Sequence, residues 1–161
     1  MGIRVAFTGK QALCLESFSD TTLQPDEVRV KGLCSMMSTG TENIVYNRLF
    51  ESGTSWDGWV KYPFYPGYSF IGEVAEVGKD VQLLSVGERV AARAGHASSQ
   101  VIRVDQLMKV PGGISSEVAA WFALSKITYV GASVAHYVLG DDVLIVGGGP
   151  IGQMSLRWAL A

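Results

Sequence analysis

Val143-Leu144-Ile145-Val146-Gly147-Gly148-Gly149-Pro150-Ile151-Gly152 decides how the second half of this chain is read. Four apolar residues, most of them β-branched, run straight into glycines, as a buried parallel strand does when it enters a tight turn. The spacing Gly147-x-Gly149-x-x-Gly152 is a dinucleotide-binding fingerprint, and Pro150 and Ile151 complete its turn. In that motif the glycines let backbone approach a pyrophosphate, and the N-terminus of the following helix faces it. The pattern from Ile151 to Ala161 predicts that helix. An acidic residue is expected roughly 20 positions further on, past Ala161. The chain is therefore expected to be part of a longer protein, or the fingerprint to be a remnant in a strand–helix turn that holds no ligand.

Composition narrows the class. Of 161 residues, 48% are hydrophobic and 17% charged, which fits a folded core and not a disordered chain. A net charge of −2, with basic residues scattered singly, gives no electrostatic footprint for nucleic acid or an anionic membrane. Cys14 and Cys34 are too few for a disulfide framework or a four-cysteine zinc lobe. No charged-then-apolar leader is read, nor any apolar run of about 18 residues, so no membrane span is expected. A cytoplasmic location is the expectation.

Residues 1–110 read as β. Short runs at Val28–Lys31, Phe70–Val77, Arg89–Ala92, Gln100–Val104 and Leu107–Val110 are punctuated by Pro25, Pro66-Gly67, Gly78, Gly87 and Pro111-Gly112-Gly113. Short strands without intervening helices predict a small antiparallel barrel or sandwich. The segment Ile44–Tyr65 is too aromatic for an idle loop, and it predicts a packed excursion near a pocket. Tyr46, Trp56 and Trp59 are its candidate pocket residues, with ordinary packing as the plainer alternative. After Pro111, Ser115 or Ser116 is placed to cap a helix from Val118 to about Leu124, and a second helix is expected from Thr128 to Leu139. A boundary near 111–125 divides the chain into 1–115 and 116–161.

With these residues in hand, the chain resembles the medium-chain dehydrogenase/reductases, which include zinc alcohol dehydrogenases and zinc-free quinone and enoyl reductases. Pro25-Asp26-Glu27-Val28-Arg29-Val30 is similar to the entry of that family's GroES-like barrel. Gly72-Glu73-Val74-Ala75-Glu76-Val77-Gly78, Val86-Gly87-Glu88-Arg89-Val90 and Gly140-Asp141-Asp142-Val143 continue the likeness in the family's order. The resemblance implies a mainly β GroES-like barrel as catalytic domain, followed by the start of an α/β Rossmann nucleotide-binding domain. It implies NADP or NAD as cofactor, a small-molecule substrate, and any homodimer forming through a nucleotide domain. Ser125, Lys126 and Thr128 lie where family members touch the cofactor, with helix surface as the alternative.

Zinc-dependent members carry a ligand cysteine and a His-Glu pair. Aligned from Pro25, Ser38 stands at the cysteine's place, and Tyr68 and Ser69 replace histidine and glutamate. Hydroxyls of this kind are not usual zinc ligands, so the metal expectation is none. Thr41 falls where the resemblance implies a proton-relay hydroxyl, with Glu42 in place of the family's aspartate beside it. Candidate oxyanion donors are Ser38, Thr41 and Tyr68. Turn hydroxyls and packing are the plainer readings of all three. Cys34 reads as a small apolar residue, and His96 and His136 as remote from any acidic or cysteine cluster. Together these imply a zinc-independent NAD(P)-dependent oxidoreductase. It would move hydride between nicotinamide and a carbonyl, alcohol, activated alkene or quinone. The alternative is a non-catalytic GroES-like binding module with a vestigial nucleotide fingerprint.

Overall fold

The computed structural model describes residues 1–19, 21–138 and 140–161. Two compact units are formed, Met1–Ala120 and Trp121–Ala161. In the first, β1 (Gly2–Gly9) and β2 (Ala12–Phe18) make an antiparallel hairpin. A five-stranded antiparallel sheet is built from β3 (Glu27–Ser35), β4 (Phe70–Val77), β5 (Arg89–Ala92), β6 (Ser99–Arg103) and β7 (Met108–Lys109), in the order β6-β3-β4-β5-β7. Between β3 and β4 lie two short helices, α1 (Thr41–Asn47) and α2 (Ser55–Trp59), and after β7 comes α3 (Ser116–Ala119).

Alternation builds the core of the sheet. Val28 and Val30 on β3, Phe70 and Val74 on β4, Val90 and Ala92 on β5 and Ile102 on β6 turn inward and pack together with Leu84. Two register shifts between β3 and β4, at Arg29/Val30 and Gly32/Cys34, let these strands coil while keeping the apolar set inside. The expected strands at Phe70–Val77 and Arg89–Ala92 form with those bounds, and the Gln100 run forms one residue earlier. The Leu107–Val110 run shrinks to Met108–Lys109. A closed barrel does not form. The hairpin meets the rest through isolated bridges, Arg4 to Ala97 and Phe7 to Phe64, instead of a continuous ladder. Closure needs every edge paired, and the described strands leave two separate sheets.

Ser115 caps α3, its hydroxyl accepting from the Val118 amide at 3.3 Å. The Glu117 carboxyl is held below its usual range by its own amide and by the Ser115 hydroxyl. Ser115→Ala is therefore expected to lower stability by about 1 kcal/mol in urea unfolding, and to return Glu117 toward the ordinary carboxylate range in an NMR titration. An unchanged midpoint would show that the cap contributes nothing.

The second unit holds α4 (Phe122–Ala135) and α5 (Pro150–Ala159). The helix break expected between Leu124 and Thr128 is absent, because α4 runs through both. The interruption falls instead at Ala120–Trp121, and Leu139, the expected helix end, lies outside the described residues. With α3, the stretch Ser116–Ala135 is 20 residues at a mean hydropathy of 1.3, long and apolar enough by composition to cross a membrane. This corrects the reading that no such run exists. A soluble protein's core helix passes the same test.

The run Val143–Val146 does not form the expected strand. Leu144 and Val146 are 88% and 91% exposed. A parallel strand exists only as a rung of a ladder, and no described residue pairs with this run. The Gly-rich turn and α5 do form after it.

Candidate functional site

β3 ends at Ser35, and the chain turns through Met36–Gly40 into α1. Ser38 is buried, and its carbonyl oxygen accepts from the Glu42 amide at 3.0 Å, which puts Ser38, Thr41 and Glu42 on one helical turn. The Met36 amide donates to the Ser69 carbonyl at 3.0 Å, tying this turn to the segment that carries Tyr68. Ser69 is fully buried, and its hydroxyl donates to the Ala120 carbonyl oxygen. Tyr68 is half-buried, with the Arg93 guanidinium 5.5 Å from its ring centroid.

The chemistry buried here is one that sequence spacing does not reveal. Glu42 is 3% exposed and His96 8% exposed. The Glu42 Oε2 lies 3.1 Å from His96 Nε2, and the Ser35 hydroxyl lies 2.8 Å from His96 Nδ1. His96 is thus not remote from acidic residues, as its sequence neighbours suggest. The loop after β5 carries it across the sheet, where the His96 amide donates to the Pro66 carbonyl at 2.9 Å and its carbonyl accepts from the Val5 amide at 3.0 Å. Glu42 Oε1 is buried with no hydrogen-bond partner among the described residues. A buried carboxylate oxygen left in that state is costly in a fold and is the kind of group that functional sites retain.

Nearby, burial pushes the Cys34 thiol up and the negative charge of Glu117 adds to the effect, so the sulfur stays a thiol and not a nucleophilic thiolate. The aromatic excursion is packed. Phe7, Val45 and Val60 form its buried centre, with Tyr46, Trp56 and Phe64 against them. The Tyr46 hydroxyl donates to the Gln11 carbonyl at 3.1 Å, and Tyr62 donates to the Val45 carbonyl at 2.8 Å. Trp56 packs on Phe50 and on Trp59, whose ring meets Phe64 edge-on at 5.2 Å. Only Trp59 of the three candidate pocket residues is largely exposed.

In the second unit, Gly147 has φ +105°, in the left-handed region that glycine tolerates. A Cβ on Gly152 would overlap the Gly147 carbonyl oxygen, so the first turn of α5 packs on the loop only because residue 152 has no side chain. Gly149 is the N-cap and offers no side-chain acceptor, and Pro150 follows at the first helical position. The Thr128 hydroxyl donates to the Ser125 carbonyl at 2.9 Å and accepts from the Trp158 indole at 3.2 Å. It is used in helix packing, and Lys126 is exposed.

At the places where the resemblance puts zinc ligands, Ser38, Tyr68 and Ser69 offer hydroxyls, and the Ser69 hydroxyl is already spent on Ala120. Among the described residues no three His, Cys, Asp or Glu side chains gather. The donor chemistry does not fit zinc.

Residues 24–123 match the alcohol dehydrogenase GroES-like domain. L-threonine 3-dehydrogenase of Protochlamydia amoebophila is 28% identical over 83% of this chain and 46% of its own length. The chain spans about half the length of the curated relatives it matches. Among solved structures, CAD from Helicobacter pylori complexed with NADP(H) superposes with a TM-score of 0.82 at 17% identity, over 99% of this chain and 56% of that one. Quinone oxidoreductase of Escherichia coli, complexed with NADPH, gives 0.75 at 20% identity, over 98% and 49%. The match to the GroES-like domain over most of the chain, borne on the sheet and turn described above, makes this protein a member of the medium-chain dehydrogenase/reductase superfamily.

Proposed function

We propose that the whole protein is a zinc-independent NAD(P)-dependent oxidoreductase acting on a carbonyl, an activated alkene or a quinone. The observation that carries this reading is the donor set of the turn, where neutral hydroxyls stand at the places of zinc ligands and a buried carboxylate lies beside them. The glycine turn fits a pyrophosphate. Gly147 supplies the left-handed bend, Gly149 and Gly152 the close approach, and the uncapped amides at the start of α5 the positive end of a helix. When bound there, the nicotinamide supplies hydride chemistry. The chain's own task is to manage the oxygen of the substrate: without a Lewis acid, developing negative charge must be met by hydroxyl donors, for which Thr41 and Ser38 are the candidates.

Thr41→Val in the complete protein is expected to lower kcat about 100-fold, the lower end of what a positioned proton donor contributes. Consumption of reduced nicotinamide with quinone and enone panels measures it. Equal turnover in parent and variant removes Thr41 from the mechanism, and full inhibition by a zinc chelator overturns the metal-free reading.

A further inference from the structure

We propose that Glu42, His96 and Ser35 form a proton path linking the buried turn to solvent, with Glu42 Oε1 as its inner end. This rests on the functional reading above and names the group that feeds its proton. Three observations converge. Ser35 is exposed, so its hydroxyl exchanges with water. It lies 2.8 Å from His96 Nδ1, while His96 Nε2 lies 3.1 Å from Glu42 Oε2, so the two ring nitrogens join an outer hydroxyl to an inner carboxylate without a gap. The second carboxylate oxygen, Oε1, is buried and unpartnered among the described residues, next in the helix to Thr41. A structural ion pair would have every atom satisfied. Here the inner atom is left open at the turn that carries the candidate donors, and the outer atom is wet.

The balance is simple. Reduction of a carbonyl adds one hydride, with its electron pair, to carbon and one proton to oxygen. The residues here handle only the proton. Glu42 in its acid form gives up the proton toward the substrate oxygen, directly or through Thr41. It regains one from His96 Nε2, Nδ1 takes one from the Ser35 hydroxyl, and that oxygen takes one from water. The step leaves the new proton on Oε2 and the ring as its Nδ1–H tautomer; rotation of the carboxyl group turns the protonated oxygen inward, and exchange of the ring protons with water restores Nε2–H. Oxidation of an alcohol runs the same path outward. Histidine suits the middle position because its two nitrogens accept and release on opposite sides.

The test has an arm that needs neither nucleotide nor substrate. In the ¹⁵N-labelled chain, a His136→Gln background leaves His96 as the one histidine, and its ring proton on the carboxylate is expected far downfield. Ser35→Ala is expected to slow exchange of that proton with water by about tenfold or more, and Ser35→Thr to restore it. Ser35 is exposed, so neither variant threatens the fold. Exchange indifferent to Ser35 overturns the path. In the complete protein, Ser35→Ala is expected to lower kcat with KM unchanged and to enlarge the solvent deuterium isotope effect. An unchanged kcat and isotope effect also overturn it. Failure of the complete protein to oxidise reduced nicotinamide with any substrate, while exchange still depends on Ser35, sinks the functional reading and the path's place in it.

Discussion

Phe70→Ala is expected to lower the unfolding free energy by about 3–5 kcal/mol, a large share of what a domain of this size commands. Phe70 is 1% exposed and sits at the start of β4, the central strand, in one buried core cluster with Val28, Val30 and Val90 from the flanking strands. Truncation removes the ring's transfer free energy and leaves a cavity that two paired strands cannot collapse to fill, since their separation is fixed by the ladder hydrogen bonds. Phe70→Leu, which keeps most of the volume, should recover more than half of the loss. Urea unfolding followed by tryptophan fluorescence measures both. A loss under about 1 kcal/mol for the alanine variant would mean that this side of the sheet is not the organising core.

That core is legible in the sequence because its punctuation is unambiguous. Pro66-Gly67 and Gly78 bracket β4, and Gly87 stands before β5, so bounds and strand type follow from the alternation between them. The hairpin is less legible. Its turn passes through Gln11 at φ +56°, a residue with no turn signature, and Leu13 and Leu15 are exposed where alternation would bury one face. The run Val143–Val146 shows the reverse failure. Its composition is that of a buried strand, but a strand needs a neighbour, and composition says nothing about whether one is present. In the candidate site, Ser38, Thr41 and Tyr68 stand out by their places in motifs, and the structure puts Ser38 and Thr41 on one turn. Nothing in the sequence joins Glu42 to His96, which stand 54 residues apart. Their contact depends on how the loop after β5 is pinned between Val5 and Pro66, a tertiary fact with no local periodicity to announce it.

The pin itself can be broken at one position. Gly67→Ala is expected to lower stability by roughly 2–5 kcal/mol, the sum of backbone strain and overpacking, and to release His96 from Glu42. Gly67 has φ +104°, where an L side chain is strained. An added Cβ would also lie 2.7 Å from the His96 amide nitrogen and 2.9 Å from Gly95 Cα. Both are backbone atoms, so no rotamer change relieves the overlap. The loop must move, and the bond from the His96 amide to Pro66 is the first to stretch. Gly53→Ala separates the two effects, because Gly53 has φ +81° but a Cβ added there would meet nothing within 4 Å. It should show the strain alone, about 1 kcal/mol, with the His96 ring signal unmoved. If Gly67→Ala matched Gly53→Ala in urea and kept the downfield His96 proton, the close packing of loop on loop would not be what holds the imidazole on its carboxylate. The larger loss together with a vanished ring proton would tie the geometry of the proton path to a single glycine outside it.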